Sequence, residues 1–142
     1  MNIAQYTKAA SLEEAWELNQ KRSAVVLGGC CWLRLSPQRR IAQAIDLSAL
    51  GLDQIEEGED SFRLGAMVTL GQLEGHDGLA AFTQGAMKEA VRHIVGTQFR
   101  NMATVGGSIS GRFGFSDIWT LFLALDAQVE LYKGGIVSLA DF

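Results

Sequence analysis

Val25-Val26-Leu27-Gly28-Gly29-Cys30 and Thr104-Val105-Gly106-Gly107-Ser108-Ile109-Ser110-Gly111 decide the reading of this 142-residue chain. In each, a glycine pair meets an apolar run. Ser23 to Leu27 is short, apolar and stopped by Gly28-Gly29, which predicts a buried strand. The second pair stands between a helical stretch and a capped one. Gly–Gly followed by a small residue lets successive backbone N–H groups converge on phosphate oxygens. A single pair is most simply a tight turn. Two pairs suit the two phosphates of a pyrophosphate. Neither is a G-x-G-x-x-G fingerprint or a Walker loop, so Rossmann and P-loop readings are set aside.

Outward from the first pair, Ser11-Leu12-Glu13-Glu14 is a capping-box pattern that predicts a helix to about Lys21, with Leu12, Ala15 and Trp16 at helical spacing. A strand at about Ala44–Leu47 is expected beside Ser23–Leu27, making the opening third an α/β unit. Short strands follow at Leu52–Glu57 and Ser61–Met67, and Thr69-Leu70-Gly71-Gln72 is a second capping box. Met87, Ala90, Val91 and Ile94 share one stripe of a longer helix that Gly96 would stop. Thr97–Ser116 reads as a glycine- and serine-rich connection, and helix resumes at Ser116-Asp117. Ala127–Tyr132 and Ile136–Leu139, joined through Gly134-Gly135, read as a hairpin.

Composition narrows the function. Twelve Lys and Arg against 16 Asp and Glu give a net charge of −4, and 48% of residues are hydrophobic. That is a normal globular composition, not a disordered one. The acidic balance argues against nucleic-acid and anionic-membrane surfaces. No apolar stretch nears the roughly 18 residues of a membrane span, and the Met1-Asn2-Ile3 start has no signal-peptide character, so a cytoplasmic protein is expected. Two adjacent cysteines, Cys30-Cys31, cannot furnish a four-cysteine metal or iron–sulfur set. Any electrons must be carried by an organic cofactor. His76 and His93 lie outside metal-ligand spacing and read as boundary residues. Cys30 has no visible partner base and reads as a small apolar side chain.

Longer matches carry a resemblance. They are Leu27-Gly28-Gly29, Ala44-Ile45-Asp46-Leu47-Ser48, Arg63 to Leu70, Gln98 to Ile109, Phe113 to Ile118 and Leu123 to Ala127. In that order the sequence resembles the FAD-binding (medium, flavoprotein) subunit of the xanthine dehydrogenase, or molybdenum hydroxylase, family. The resemblance implies an α+β protein with a vanillyl-alcohol-oxidase-type FAD-binding fold. A small α/β subdomain at 1–54 would precede a larger α+β subdomain at 55–142 with a mixed or antiparallel sheet. The family's C-terminal domain lies beyond the matched segment.

The resemblance also implies roles. Leu27, Gly28, Gly29, Cys30, Cys31, Trp32 and Leu33 would form the first pyrophosphate loop. Thr104, Gly106, Gly107 and Ser108 would form the second, with Thr104 and Ser108 as side-chain donors. Asp117 would bond an FAD ribose hydroxyl, cap its helix, or both. Arg100 would orient the loop or face a phosphate. No residue is expected to be catalytic and no metal is expected. FAD would take electrons from an iron–sulfur subunit, beside a molybdopterin-binding subunit, and pass them to NAD or another acceptor. The alternative is a non-catalytic assembly module that holds no FAD. Cys30-Cys31 depart from the family, which commonly places Thr and then a small or acidic residue after the first glycine pair; a thiol is the weaker donor.

Overall fold

The computed structural model describes residues 1–36 and 40–142. Its first unit is a three-stranded parallel sheet. Strand β1 (Asn2–Lys8) leads to helix α1 (Leu12–Asn19), then β2 (Ala24–Leu27) and β3 (Arg40–Asp46). The order is β1-β3-β2, with Tyr6 opposite Ala44 and Val25 opposite the same Ala44. Parallel strands of one sheet need crossovers, and α1 supplies the one from β1 to β2. Central β3 buries Ile41, Ala44 and Ile45 completely. Ile45 joins Ala9 and Ala15 in a small core under α1. Ser11 caps α1 by accepting from the Glu14 N–H, while the Glu14 carboxylate takes the Ala10 N–H rather than that of Ser11. Both ends of the pattern are satisfied, one residue out of the usual register.

The rest of the chain packs on a second core, centred on Val68, Leu70, Leu73, Met87, Val91, Ile118 and Leu139. Its elements are short. An antiparallel pair, β4 (Ile55–Glu57) and β5 (Phe62–Leu64), precedes α2 (Leu70–Gly75), α3 (Asp77–Phe82) and α4 (Ala86–Arg92). Thr69 and Gln72 form a complete capping box on α2. Then come α5 (Thr97–Arg100), α6 (Val105–Ser110), α7 (Asp117–Ala124) and the hairpin β6 (Gln128–Leu131) with β7 (Gly135–Ser138). The architecture is α+β, with a parallel sheet early in the chain and antiparallel ribbons after it.

Two expectations are corrected. The helix expected to run to Gly96 ends at Arg92, because Val95 turns into the left-handed region at φ 51° and Gly96 becomes the N-cap of α5. The connection expected at 97–116 contains α5 and α6. Helix α6 forms despite its two glycines because its entry is anchored. Leu70 N–H donates to Ala103 C=O and Val105 N–H to Val68 C=O, both close to 2.9 Å. Tertiary bonds here outweigh local propensity.

Among the described residues, contacts at two places, near the last hairpin and the glycine loops, help join the units. Lys133, in the hairpin turn, bonds Glu13 and sits 4.1 Å over the Trp16 ring, while Tyr132 donates to Glu13 at 2.8 Å. The other place is the pair of glycine loops.

Candidate functional site

Strand β2 delivers Gly28 and Gly29 against the loop before α6. A Cβ on Gly28 would lie 2.7 Å from Thr104 Oγ1, and one on Gly29 only 1.7 Å from the Met102 carbonyl oxygen. Neither glycine has positive φ; Gly29 is needed because backbone meets backbone there, and Gly28 because the Thr104 side chain stands against it. The residue that turns left-handed is Cys30, at φ 58°. Its carbonyl accepts from Arg34 N–H at 3.2 Å, closing one turn that leads into a short 3₁₀ segment, Leu33–Leu35.

This turn leaves donors free. Among the described residues, no protein acceptor takes the N–H groups of Gly29, Cys30, Cys31 or Trp32. A run of unspent amides curled by one left-handed residue is an anion-binding nest. The second loop differs. The N–H groups of Val105, Gly106 and Ser108 go to the carbonyls of Val68, Ala66 and Thr104. Gly107 N–H donates to Thr104 Oγ1 at 3.2 Å, and the Ser108 hydroxyl donates to Thr104 C=O at 2.9 Å. The Thr104 hydroxyl acts there as acceptor, so its own hydrogen is available. Gly107 has the most open surroundings of the four paired glycines in these loops: an added Cβ would meet one neighbour, Thr104 Oγ1 at 3.0 Å.

Both loops line one cavity of about 570 Å³. Gly28, Gly29, Cys30, Cys31, Trp32, Leu33, Thr104, Gly107, Ser108 and Asp117 all border it. Leu27 and Gly106 do not, the latter being pressed against Ala66, whose carbonyl oxygen would lie 2.7 Å from a Cβ. The remaining wall is mainly apolar and includes Val25, Ile94, Val95, Phe99 and Phe113. Among the described residues no Lys or Arg borders it, and Asp117 is its one carboxylate. Among the described residues, the groups that would hold an anion here are amide dipoles. Burial pushes both thiols up, and for Cys30 the neighbouring Cys31 adds to this. At neutral pH both are uncharged, which suits a site for phosphate.

Asp117 is exposed in the first turn of α7, and the N-cap is Ser116, whose hydroxyl accepts from Trp119 N–H at 3.2 Å. The capping alternative for Asp117 is thereby removed. Arg100 is turned away from the cavity. It is buried, with Nε 2.7 Å from Glu74 Oε2, and it donates to Ile94 C=O and Thr97 Oγ1. Of its two expected roles, loop orientation is the one its contacts allow. His76 caps α3 through Nδ1, which accepts from Leu79 N–H.

Sequence reading missed an aromatic cluster at the cavity rim. Trp32 lies 5.3 Å from Phe113 and 5.7 Å from Phe115, between ring centroids, and the two phenyl rings are 5.3 Å apart. The signal was present as Arg112-Phe113-Gly114-Phe115, but nothing local says that Trp32, eighty positions earlier, meets it. Among the described residues no group of three or more His, Cys, Asp or Glu is placed to hold a metal ion, and no helix is long and apolar enough to cross a membrane.

Comparison with known proteins shows the family. The FAD binding domain in molybdopterin dehydrogenase matches residues 2–142. The chain is 33% identical over 132 residues to the nicotine 6-hydroxylase medium subunit of Paenarthrobacter nicotinovorans, covering 89% of this chain and 46% of that one. It is 30% identical over 140 residues to the xanthine dehydrogenase FAD-binding subunit of Escherichia coli O157:H7, covering 93% and 47%. A crystal structure of the Cu,Mo-CO dehydrogenase superimposes with a TM-score of 0.85 at 26% identity, covering 99% of this chain and 52% of that one. The chain spans about half the length of the curated relatives it matches.

Proposed function

The chain belongs to the family of FAD-binding domains of molybdopterin dehydrogenases, and from that premise we propose that it is the FAD-binding part of an electron-transfer subunit in a molybdenum-containing hydroxylase. The observation that carries this is the run of unspent amides from Gly29 to Trp32 beside a cavity on which Gly107 also opens. The residues fit the group. A pyrophosphate would lie on the Gly29–Trp32 amides, with the Thr104 hydroxyl as a further donor. Gly107 keeps the approach clear, where a larger side chain would intrude. The apolar wall excludes water from the rest of the cofactor and strengthens each hydrogen bond to phosphate.

FAD, when bound, supplies electron transfer, and the protein's part is to bind and orient it. The lining side chains would serve as binding groups. The division of labour follows: electrons enter from iron–sulfur centres on a partner subunit, a molybdopterin-binding subunit oxidises the substrate, and NAD or another acceptor takes the electrons away. The small unit at 1–54 and the larger one at 55–142 would grip the cofactor between them, meeting at the Gly28–Thr104 contact.

The test is co-purification. Protein expressed with its partner subunits should carry flavin absorbance, and mass spectrometry of the released cofactor should show FAD. Colourless protein that also fails to take up added FAD would overturn the proposal and leave an assembly module.

A further inference from the structure

We propose that Trp32, braced by Phe113 and Phe115, is the stacking platform for the adenine ring of the cofactor. The inference rests on the FAD reading above and names which end of the dinucleotide lies where.

The cluster is built from both sides of the cavity: Trp32 follows the first glycine pair, whereas Phe113 and Phe115 follow the second. Trp32 is 45% exposed and Phe115 67%, unusually open for large aromatic rings. The indole meets the phenyl rings at 46° and 62°, so neither ring lies flat over it. Phe113 and Phe115 are nearly parallel to each other, at 22°, and form the bracket. The arrangement fixes the indole plane while leaving π surface open at the rim, which is what a planar base stacks upon.

Two observations choose adenine over the flavin ring. Trp32 lies within the free-amide run, so its side chain starts at the phosphate site itself. Adenine is separated from the pyrophosphate by one sugar ring, whereas the isoalloxazine hangs on an open ribityl chain and lies farther off. Asp117 borders the same cavity two residues past Phe115. A carboxylate next to phosphate is repulsive, yet one sugar away it accepts hydrogen bonds from the ribose hydroxyls.

The test is titration of the chain, by calorimetry, with FAD, ADP and FMN. Trp32→Leu should weaken FAD and ADP by the same factor, roughly tenfold or more as expected for loss of one stacked base, and leave FMN unchanged. Trp32→Phe should recover most of the loss, and circular dichroism should match the parent throughout because the indole is half exposed. Unchanged ADP affinity, or a loss falling on FMN instead, overturns the inference while FAD binding by the parent stands. A parent chain that binds neither FAD nor ADP overturns both readings.

Discussion

The Gly29 Cβ position lies 1.7 Å from the Met102 carbonyl oxygen, so the two glycine loops meet there backbone to backbone. Any side chain at 29 must push the loop before α6 away from β2. Gly29→Ala should therefore cost at least about 1–3 kcal/mol, the range for overpacking without room to relax. Gly75, the last residue of α2, is the contrast: nothing lies within 4 Å of its Cβ position and its φ is not positive. Gly75→Ala should stabilise by about 0.5–1 kcal/mol. Urea unfolding of both variants gives the comparison, and equal midpoints would contradict it.

Gly107 predicts the opposite pattern. Its Cβ meets only Thr104 Oγ1, at 3.0 Å, and otherwise faces the cavity. Gly107→Val should leave the chain folded yet weaken FAD at least tenfold, about 1.4 kcal/mol. Flavin fluorescence titration beside thermal melting separates the two effects. Parental FAD affinity in a folded variant would remove the second loop from the phosphate site.

Arg100 and Glu74 form an ion pair beneath that loop, with side chains 9% and 26% exposed. Removing one partner strands the other. Glu74→Gln should destabilise by about 3 kcal/mol, the lower end for a broken buried pair because Glu74 keeps some contact with water. Arg100→Met with Glu74→Leu should recover part of that loss. Neither change touches the cavity, so FAD affinity measured on the folded fraction should stay within twofold. A larger change would mean that Arg100 reaches the cofactor.

What was legible in the sequence is what is decided locally. Ser11 and Thr69 announce their helices because a cap and its N–H partners lie within three residues. The Gly134-Gly135 hairpin is equally local, and Gly135 takes the positive φ that its residue type allows. Helix α6 reads as loop in the sequence because Gly106 and Gly107 are poor helix formers, and the bonds that overrule them come from Val68, Leu70 and Ala66, some forty positions away. The site divides the same way. Glycine pairs suggest a phosphate loop on their own. That the first pair keeps its amides free while the second spends them internally depends on the Cys30 turn and on Thr104, and is visible only once the chain is folded.

Cys30 and Cys31 give the last prediction, through pH. Burial raises both thiols, and the thiolate is the reactive form. Alkylation by iodoacetamide should therefore be slow at neutral pH and rise only above the ordinary thiol range of about 8.5. The two should not react together. For Cys30 the neighbouring Cys31 and Asp46 reinforce burial, whereas for Cys31 a backbone hydrogen bond and the Arg34 guanidinium oppose it. Cys31 should be labelled first, and Arg34→Gln should slow it. Stability follows the same sign. A raised acid favours the fold while it is protonated, so this contribution is complete below the unfolded thiol's pKa and is lost as pH rises towards the folded one. Replacing both cysteines by Ala should flatten the alkaline limb of the unfolding free energy. Bound FAD would place a pyrophosphate beside these thiols, raising them further and shielding them, so saturating FAD should slow labelling of both. Peptide mapping by mass spectrometry reads the order and the protection. Labelling that ignores FAD in a protein shown to bind it would move the pyrophosphate off the Gly29–Trp32 amides.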